Sequence, residues 1–205
     1  MDEIIARSNL YALLSRILLQ ELDVERLEIL RNDETVLEFM PHWRDWEPRK
    51  NIEAQQLLEE YLNPDFTNLS LLHLVPYETF YTRSDQMIET GGANPVTDIY
   101  SAYDFLVDYE VARVVSADHI GIELEFMHHL CEAQLRAMEE ADHEAVQELI
   151  KVQHNFLNSH LLKWAPMYLI NMKYESRTPL YYDSAEMALE FILSDNETLS
   201  GLVQA

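Results

Sequence analysis

Glycine is scarce in this chain, and that scarcity constrains the fold more than any other feature of the sequence. Only four glycines and seven prolines occur in 205 residues, which leaves few residues suited to the tight turns that join the strands of a sheet. Long stretches rich in Leu, Glu, Ala and Met favour helix instead. The sequence therefore predicts an all-α fold, and its length indicates one bundle-like domain over residues 1–205.

Apolar residues recur at helical spacing along most of the chain. They predict helices at about 2–20, 23–31, 34–40, 51–62, 96–110, 118–140, 142–164 and 183–194. Residues 41–50 and 73–97 are expected to be loops, and the tail from about 195 to 205 is expected to be frayed. Pro64 is expected to end one helix, and Pro166 either to kink another or to open the next segment.

The charge of the chain bears on the class of partner. Lys and Arg number 14 against 37 Asp and Glu, which gives a formal net charge of −23 at pH 7. Nucleic acid is therefore excluded as a partner, because binding it requires Lys and Arg to neutralise phosphates. An acidic surface steers cationic partners towards it, although solubility alone also explains such a surface. Charge by itself leaves these two interpretations open.

The single cysteine, the N-terminal segment and the short apolar runs indicate a cytoplasmic protein. Cys131 is the only cysteine, so the sequence predicts no internal disulfide and no cysteine-based metal site. The opening segment, MDEIIARSNL, has acidic residues where a secretory signal has lysine or arginine. The longest uncharged run, Phe66 to Tyr77, is too short to span a bilayer. We therefore expect a cytoplasmic protein with no stable membrane insertion.

Two Glu-x-x-His motifs raise the possibility of a metal centre. Glu125-x-x-His128 and Glu140-x-x-His143 match the ligand pairs of di-iron carboxylate bundles, in which each pair projects inward from its own helix. However, Glu125 lies on the polar side of its predicted helix, and the two motifs are too close in sequence to sit midway along two antiparallel helices. A solvated face is the preferred interpretation. A di-iron carboxylate bundle enzyme is kept as the alternative function.

Other catalytic patterns are missing from the sequence. It has no Gly-x-Ser-x-Gly elbow, no Walker A loop and no Gly-x-Gly-x-x-Gly turn. The sequence therefore predicts a protein that is not an enzyme, with no catalytic residue, no bound cofactor and no metal.

Two segments place polar groups where a core does not need them. Asp118 and His119 open the predicted 118–140 helix, with Glu123 on the same face as His119. Asp118 also suits a plain N-cap, since its carboxylate can accept from free N–H groups of the first turn. The loop that holds Tyr77 and Glu78 surrounds that one carboxylate with aromatic residues, which are either core anchors or part of a binding site. Both interpretations stay open at this point.

Four motifs resemble those of the TorD/DmsD/NarJ family and occur in the order that the family has them. They are Arg7-x-x-x-Tyr11-x-x-Leu14-Ser15, Pro76-Tyr77-Glu78-x-x-Tyr81, Asp118-His119-Ile120-Gly121-x-Glu123-Leu124-x-Phe126-Met127 and Phe156-x-x-x-His160-Leu161-x-x-Trp164-x-Pro166. Each motif is modest alone, but four in register are specific. The chain departs from the family at Ala117, where the family has proline, and at Thr79, where it has serine.

The resemblance implies an all-helical, TorD-like chaperone that acts in the cytoplasm as a monomer or homodimer. Family members bind an immature molybdo- or tungsto-oxidoreductase subunit, often at its twin-arginine signal peptide. They hold back export or assembly until the molybdopterin cofactor and iron–sulfur clusters are in place. The client- or peptide-binding residues that it implies are Pro76, Tyr77, Glu78, Tyr81, Asp118, His119 and Glu123. Of these, Glu78 and Glu123 are expected either to contact the arginine cations of the peptide or to be N-terminal helix charges or partners of His119.

Overall fold

Helices make up nearly all of the regular structure in the computed structural model, which describes residues 1–204. The α-helices α1 to α14 are, in order, Asp2–Leu19, Val24–Asn32, Glu34–Phe39, Pro41–Asp45, Glu47–Asn51, Ala54–Leu57, Asn63–Thr67, Glu78–Thr82, Thr97–Ala102, Tyr109–Ala112, Ile120–Glu139, His143–Phe156, Leu162–Glu175 and Pro179–Gln204. Residues 1–204 contain no strand, and their one isolated β-bridge joins Tyr77 to His119. The all-α prediction is confirmed.

The chain divides into two compact units, each made of separate stretches of sequence. The first unit consists of Met1–Leu19, Tyr77–Ala165 and the chain from Phe191 onward. The second unit consists of Gln20–Pro76 and Pro166–Glu190. The expectation of one domain over residues 1–205 stays a prediction.

In the first unit α1 packs along α11, and α11 packs against α12. A buried polar network runs through this core. The Arg7 guanidinium forms an ion pair with Asp195 and donates to the Gln153 side chain at 2.7 Å. The Tyr11 hydroxyl donates to Asp195 at 2.6 Å. Because a buried charge is costly without a partner, this network links the first and last helices of the chain specifically.

In the second unit two buried carboxylates accept hydrogen bonds from backbone N–H groups that lie at, or just before, the start of a helix. Asp65 accepts from the N–H groups of Arg177 and Thr178, at 3.0 and 2.8 Å, and so joins α7 to the start of α14. Asp183 accepts from the Trp43 N–H at 2.8 Å and joins α14 to α4. These bonds satisfy N–H groups that have no partner within their own helices.

Residues 41–50 are helical, so the expected loop is wrong. Pro41 and Pro48 each occupy one of the first two positions of α4 and α5, where a missing N–H removes no helical hydrogen bond. Trp43 is buried, and the Arg49 guanidinium lies over its ring, 5.9 Å from the centroid. Tertiary packing around this tryptophan stabilises helices that are too short to form alone.

Neither Pro64 nor Pro166 ends a helix, which corrects the expected stop at Pro64. Helical structure runs without a break over 54–73 and over 143–175. A π-helix precedes each proline, and these are Leu58–Leu62 and Leu157–Leu161. Pro64 occupies one of the first two positions of α7, where a missing N–H costs least, whereas Pro166 lies inside α13.

Two other helix ends differ from the expected ones. α9 ends at Ala102 and not near 110, because the Phe105 N–H bonds back to the Tyr100 carbonyl at 2.9 Å and Asp104 takes a left-handed φ of 54°, as in a Schellman ending. The last helix continues to Gln204, so the frayed tail is wrong over 195–204. Buried Leu199 and the Arg7–Asp195 pair hold that part of the helix, and Ala205 lies outside the described residues.

Candidate functional site

Two segments that the sequence analysis singled out lie against each other in the first unit. Tyr77 and His119 form the antiparallel bridge, and the Glu78 N–H donates to the Asp118 carbonyl at 2.9 Å. Glu78 is the first residue of α8, and Ile120 is the first residue of α11. The bridge therefore joins the chain at the start of one helix to the chain at the start of another.

Asp118 holds this junction together with both of its carboxylate oxygens. Oδ2 accepts from the Thr79 N–H at 2.8 Å and from the Thr79 hydroxyl at 2.7 Å. Oδ1 accepts from the Asn94 amide at 2.9 Å and from the Ser116 hydroxyl. Asp118 is fully buried, and donors surround it. Its carboxylate joins the first turn of α8 to two loop residues, and the interpretation of Asp118 as the N-cap of α11 is wrong.

His119 is the residue that caps α11. Its Nδ1 accepts from the Gly121 N–H at 3.1 Å, so the proton of a neutral ring lies on Nε2. Burial lowers the pKa of His119 to about 3, although the nearby Asp118 carboxylate favours the charged form. The ring packs edge-on against Tyr77, with centroids 5.0 Å apart. At neutral pH His119 is therefore an uncharged cap, because the buried site cannot solvate an imidazolium.

Glu78 pairs with a histidine that lies far away in sequence. Its Oε2 lies 2.9 Å from Nδ1 of His160, and the Glu78 side chain is almost fully buried. His160 sits in the π-helix Leu157–Leu161, and its ring packs on Phe156 with centroids 4.8 Å apart. The 156–166 motif, which contains His160, is therefore the third segment of the site.

Glu123 is the second buried glutamate of the site and projects from the first turn of α11. Its Oε2 accepts from the Trp164 indole N–H at 3.3 Å, while Oε1 is buried with no donor in the described residues. Burial raises the pKa of Glu123 well above its usual value, and the Glu78 and Asp118 charges raise it further. Glu123 therefore keeps its proton at pH values at which an exposed glutamate has lost it.

Tyr81 closes the aromatic side of the site. Its ring stacks on Trp164 at a centroid distance of 5.4 Å and an interplanar angle of 28°. Burial raises the pKa of Tyr81 to about 12, yet the residue is only half-buried. Of the seven residues that the resemblance implied, it is the one that reaches the surface. Pro76 is buried and belongs to the second unit.

We refer to Tyr77, Glu78, Tyr81, Asp118, His119, Glu123, His160 and Trp164 as the acidic–aromatic cluster. It contains three buried carboxylates, and no Lys or Arg of residues 1–204 forms an ion pair with any of them. An isolated buried charge is costly, so the buried acids are stabilised by hydrogen-bond donors or by protonation. Asp118 accepts four hydrogen bonds from neutral donors, Glu78 pairs with His160, and the raised pKa of Glu123 keeps it protonated.

Several residues at the site were not assigned to it from the sequence. His160 and Trp164 stand four residues apart in the downstream motif, a spacing that puts both on one helix face, and this signal could have assigned them. Asn94 and Ser116 lie in irregular loops, where no periodicity marks a residue for a buried hydrogen bond. Their contribution to the Asp118 environment comes from the tertiary structure alone.

The Glu-x-x-His motifs do not form a metal centre in this arrangement. Glu125, Glu140 and His143 are exposed, and His128 bonds to Ser8 at 2.9 Å. Within residues 1–204 the one group with metal-ligand spacing is a different set, namely His42, Asp183 and Glu186 of the second unit. Its atoms already pair, His42 with Asp183 at 2.7 Å and Glu186 with Lys173. The geometry thus gives the di-iron alternative no support.

Comparison with known proteins agrees with the geometry. The family model described as nitrate reductase delta subunit matches residues 31–169. The chain is 28% identical over 164 residues to Chaperone protein TorD of Vibrio cholerae serotype O1, which covers 77% of this chain and 71% of that protein. It is 25% identical over 144 residues to Chaperone protein TorD of Vibrio atlanticus, covering 68% and 65%. A search of the solved structures finds no significant match.

The family match and the site coincide. The matched residues include every member of the acidic–aromatic cluster, from Tyr77 to Trp164. Among the helices of residues 1–204, none has the combination of length and apolar character that a membrane span needs. On the family match and its named relatives, the chain belongs to the TorD/DmsD/NarJ family of redox-enzyme maturation chaperones.

Proposed function

We propose that this protein is a cytoplasmic chaperone, and not an enzyme, for a molybdopterin-dependent oxidoreductase. It binds the immature catalytic subunit, or the twin-arginine signal peptide of that subunit, until the cofactor has been inserted. Membership of a family of redox-enzyme chaperones supports the class of client. The net charge of −23 supports a client segment that is cationic.

The observation that carries the proposal is the acidic–aromatic cluster itself. Three motifs that are distant in sequence converge there and place three carboxylates beside two stacked aromatic rings. A twin-arginine segment offers two planar cations, which pair with carboxylates and stack on aromatic faces. Because Glu78 and Glu123 are 3% and 0% exposed, direct contact with them requires α8, which carries Tyr81, to move. The arginine contacts expected for both residues stay a prediction.

The test is a titration of the purified chain against a fluorescein-labelled twin-arginine signal peptide of a molybdopterin oxidoreductase from the same organism. Anisotropy at low and high salt should show saturable binding that weakens with salt, mainly through the association rate. Changing both arginines of the peptide to lysine keeps the charge but loses the planar bidentate geometry, so affinity should fall while the salt slope stays similar.

A scrambled peptide of identical composition serves as the control for charge alone. The proposal is wrong if the chain binds neither the intact signal peptide nor the cofactor-free catalytic subunit. Equal affinity for the native and scrambled peptides would exclude specific binding at the acidic–aromatic cluster. Only electrostatic attraction would then explain the binding.

A further inference from the structure

A short segment of the first unit exposes large apolar side chains. Leu106 is 88% exposed, Val115 is 60% exposed and Tyr109 is 46% exposed. All three lie between α9 and α11, in the segment that includes the short helix α10. A concentration of exposed apolar side chains on a protein surface often marks a site of interaction with a partner.

The segment is held in a defined conformation. The Phe105 ring packs against Tyr100 and Phe126, with centroids 4.9 and 5.4 Å away. His129 bonds to the Tyr103 carbonyl at 2.9 Å, and the Val115 N–H donates to the Tyr77 hydroxyl at 3.3 Å. Buried anchors on one side therefore fix which side chains face solvent on the other.

Two residues of the segment adopt a left-handed backbone that is unfavourable for residues other than glycine. Asp104 has φ 54° and Arg113 has φ 57°, each at a cost of roughly 1 kcal/mol. The fold maintains these conformations on both sides of Leu106 and Tyr109, and so keeps these two side chains exposed.

The charge of the segment identifies the kind of occupant that fits. Asp98, Asp104, Asp108 and Glu110 are exposed, and within residues 1–204 none of them forms an ion pair. Arg113 is the one basic residue of 97–115. A second copy of this chain, at a net charge of −23, is repelled by such a surface. A segment that combines cations with large apolar residues is attracted to it.

We propose that residues 103–115 form a docking surface for the client's signal peptide, whose apolar stretch packs on Leu106, Tyr109 and Val115 while its basic residues other than the twin arginines face Asp104, Asp108 and Glu110. This 103–115 surface rests on the proposed function and names where the peptide binds. The chain runs from Val115 through Ser116 into Asp118, so the surface adjoins the acidic–aromatic cluster. Val115 also bonds to Tyr77, a member of that cluster.

The test compares two variants of the surface with two matched controls elsewhere on the full-length protein. Leu106→Ser removes an exposed anchor, and the triple change Asp104→Asn, Asp108→Asn and Glu110→Gln removes three charges without altering side-chain size. The apolar control is Ile29→Ser, at a residue that is 60% exposed in the second unit. The charge control is Glu139→Gln, Glu140→Gln and Glu144→Gln, at three other exposed acids.

Each surface variant should weaken binding of the labelled signal peptide by about tenfold, as loss of an interface anchor does, while each control should change it by less than about twofold. Only the charge variant should flatten the salt dependence beyond its control. Hydrogen exchange of the unmodified protein gives a second measurement, in which peptide should protect amides of residues 103–115.

The outcomes separate this inference from the proposed function. If the unmodified protein binds the peptide and all four variants bind it equally, the 103–115 surface is wrong and the proposed function stands. If the unmodified protein does not bind the peptide at all, both fail for this ligand. If Leu106→Ser changes only the oligomeric state in size-exclusion chromatography, the surface is a self-association interface and the inference is overturned.

Discussion

His119 and Glu123 stand on successive turns of one helix start, and burial drives both towards their uncharged forms. For the histidine this means that the pKa falls, and for the glutamate that it rises. Desolvation always penalises the charged state, so an acid and a base respond in opposite directions. The two residues therefore give the folding stability opposite pH dependences.

Replacing Glu123 with glutamine should stabilise the protein at pH 8 and change little at pH 5. Between the unfolded pKa of about 4.3 and its raised folded pKa, Glu123 holds a proton only in the folded state, so wild-type stability falls as pH rises through that window, by up to about 1.4 kcal/mol per unit. Glutamine still accepts from Trp164 and does not titrate. Urea unfolding at both pH values measures this, and a pH-independent difference would contradict a protonated Glu123.

Replacing His119 with asparagine should separate capping from titration. Asparagine keeps an N-cap acceptor for the Gly121 N–H, but it cannot bind a proton. In the unfolded wild type, His119 binds a proton below its pKa of about 6.5. In the folded state it binds that proton only near pH 3. The stability advantage of the wild type over the variant should therefore shrink by about 2 kcal/mol between pH 7 and pH 5. Denaturant unfolding monitored by circular dichroism gives both values, and a constant difference would mean that His119 is charged in the folded state.

At the scale of elements, the close approach of α1 and α11 depends on Gly121. A Cβ atom at this position would lie 2.7 Å from Leu19 Cβ and 2.9 Å from Leu19 Cα. The Ser15 hydroxyl donates to the Gly121 carbonyl at 2.7 Å and fixes the same crossing. Since one obstructing atom is backbone, rotation of a side chain cannot relieve the overlap.

Gly121→Ala should destabilise the protein by about 2 kcal/mol, because overpacking at the helix crossing outweighs the better helix propensity of alanine. Gly201→Ala is the matched control, since its added Cβ meets nothing within 4 Å in the last helix. That variant should gain roughly 0.5–1 kcal/mol. Thermal unfolding compares the two, and a stabilised Gly121→Ala would show that the helices can separate at no cost.

At the scale of the whole molecule, neither compact unit is continuous in sequence. The first consists of three stretches of chain and the second of two, and the divisions at Ala165 and Glu190 fall inside α13 and α14. Neither unit can therefore be completed by a single stretch of chain. A helix that crosses a division favours joint folding, since its formation is cooperative.

Unfolding should accordingly be one transition, as the prediction of a single domain over residues 1–205 requires. In scanning calorimetry the van't Hoff and calorimetric enthalpies should agree, as they do for two-state domains. Circular dichroism and tryptophan fluorescence should report the same midpoint, because Trp43 belongs to the second unit and Trp164 to the first. Two resolved transitions would assign the units to separate domains.

The sequence by itself determined the fold class and the long helices. Glycine scarcity and apolar periodicity depend only on local composition, and the helices at α1 and α11 follow from them within about two residues. The residues of the two central motifs could also be named, since Tyr77, Glu78, Asp118, His119 and Glu123 lie in two recognisable runs. The acids among them stand out because Asp and Glu are almost never fully buried without a partner.

Only the tertiary structure decided what these residues do. Asp118 binds Thr79, Asn94 and Ser116 and not the N–H groups of α11, because folding brings the start of α8 and the loop at Asn94 against its carboxylate. The short helices at 41–51 and the last turns of α14 form because buried partners stabilise them, which no local pattern encodes. Whether a carboxylate is charged depends on its burial, and burial is a property of the folded chain.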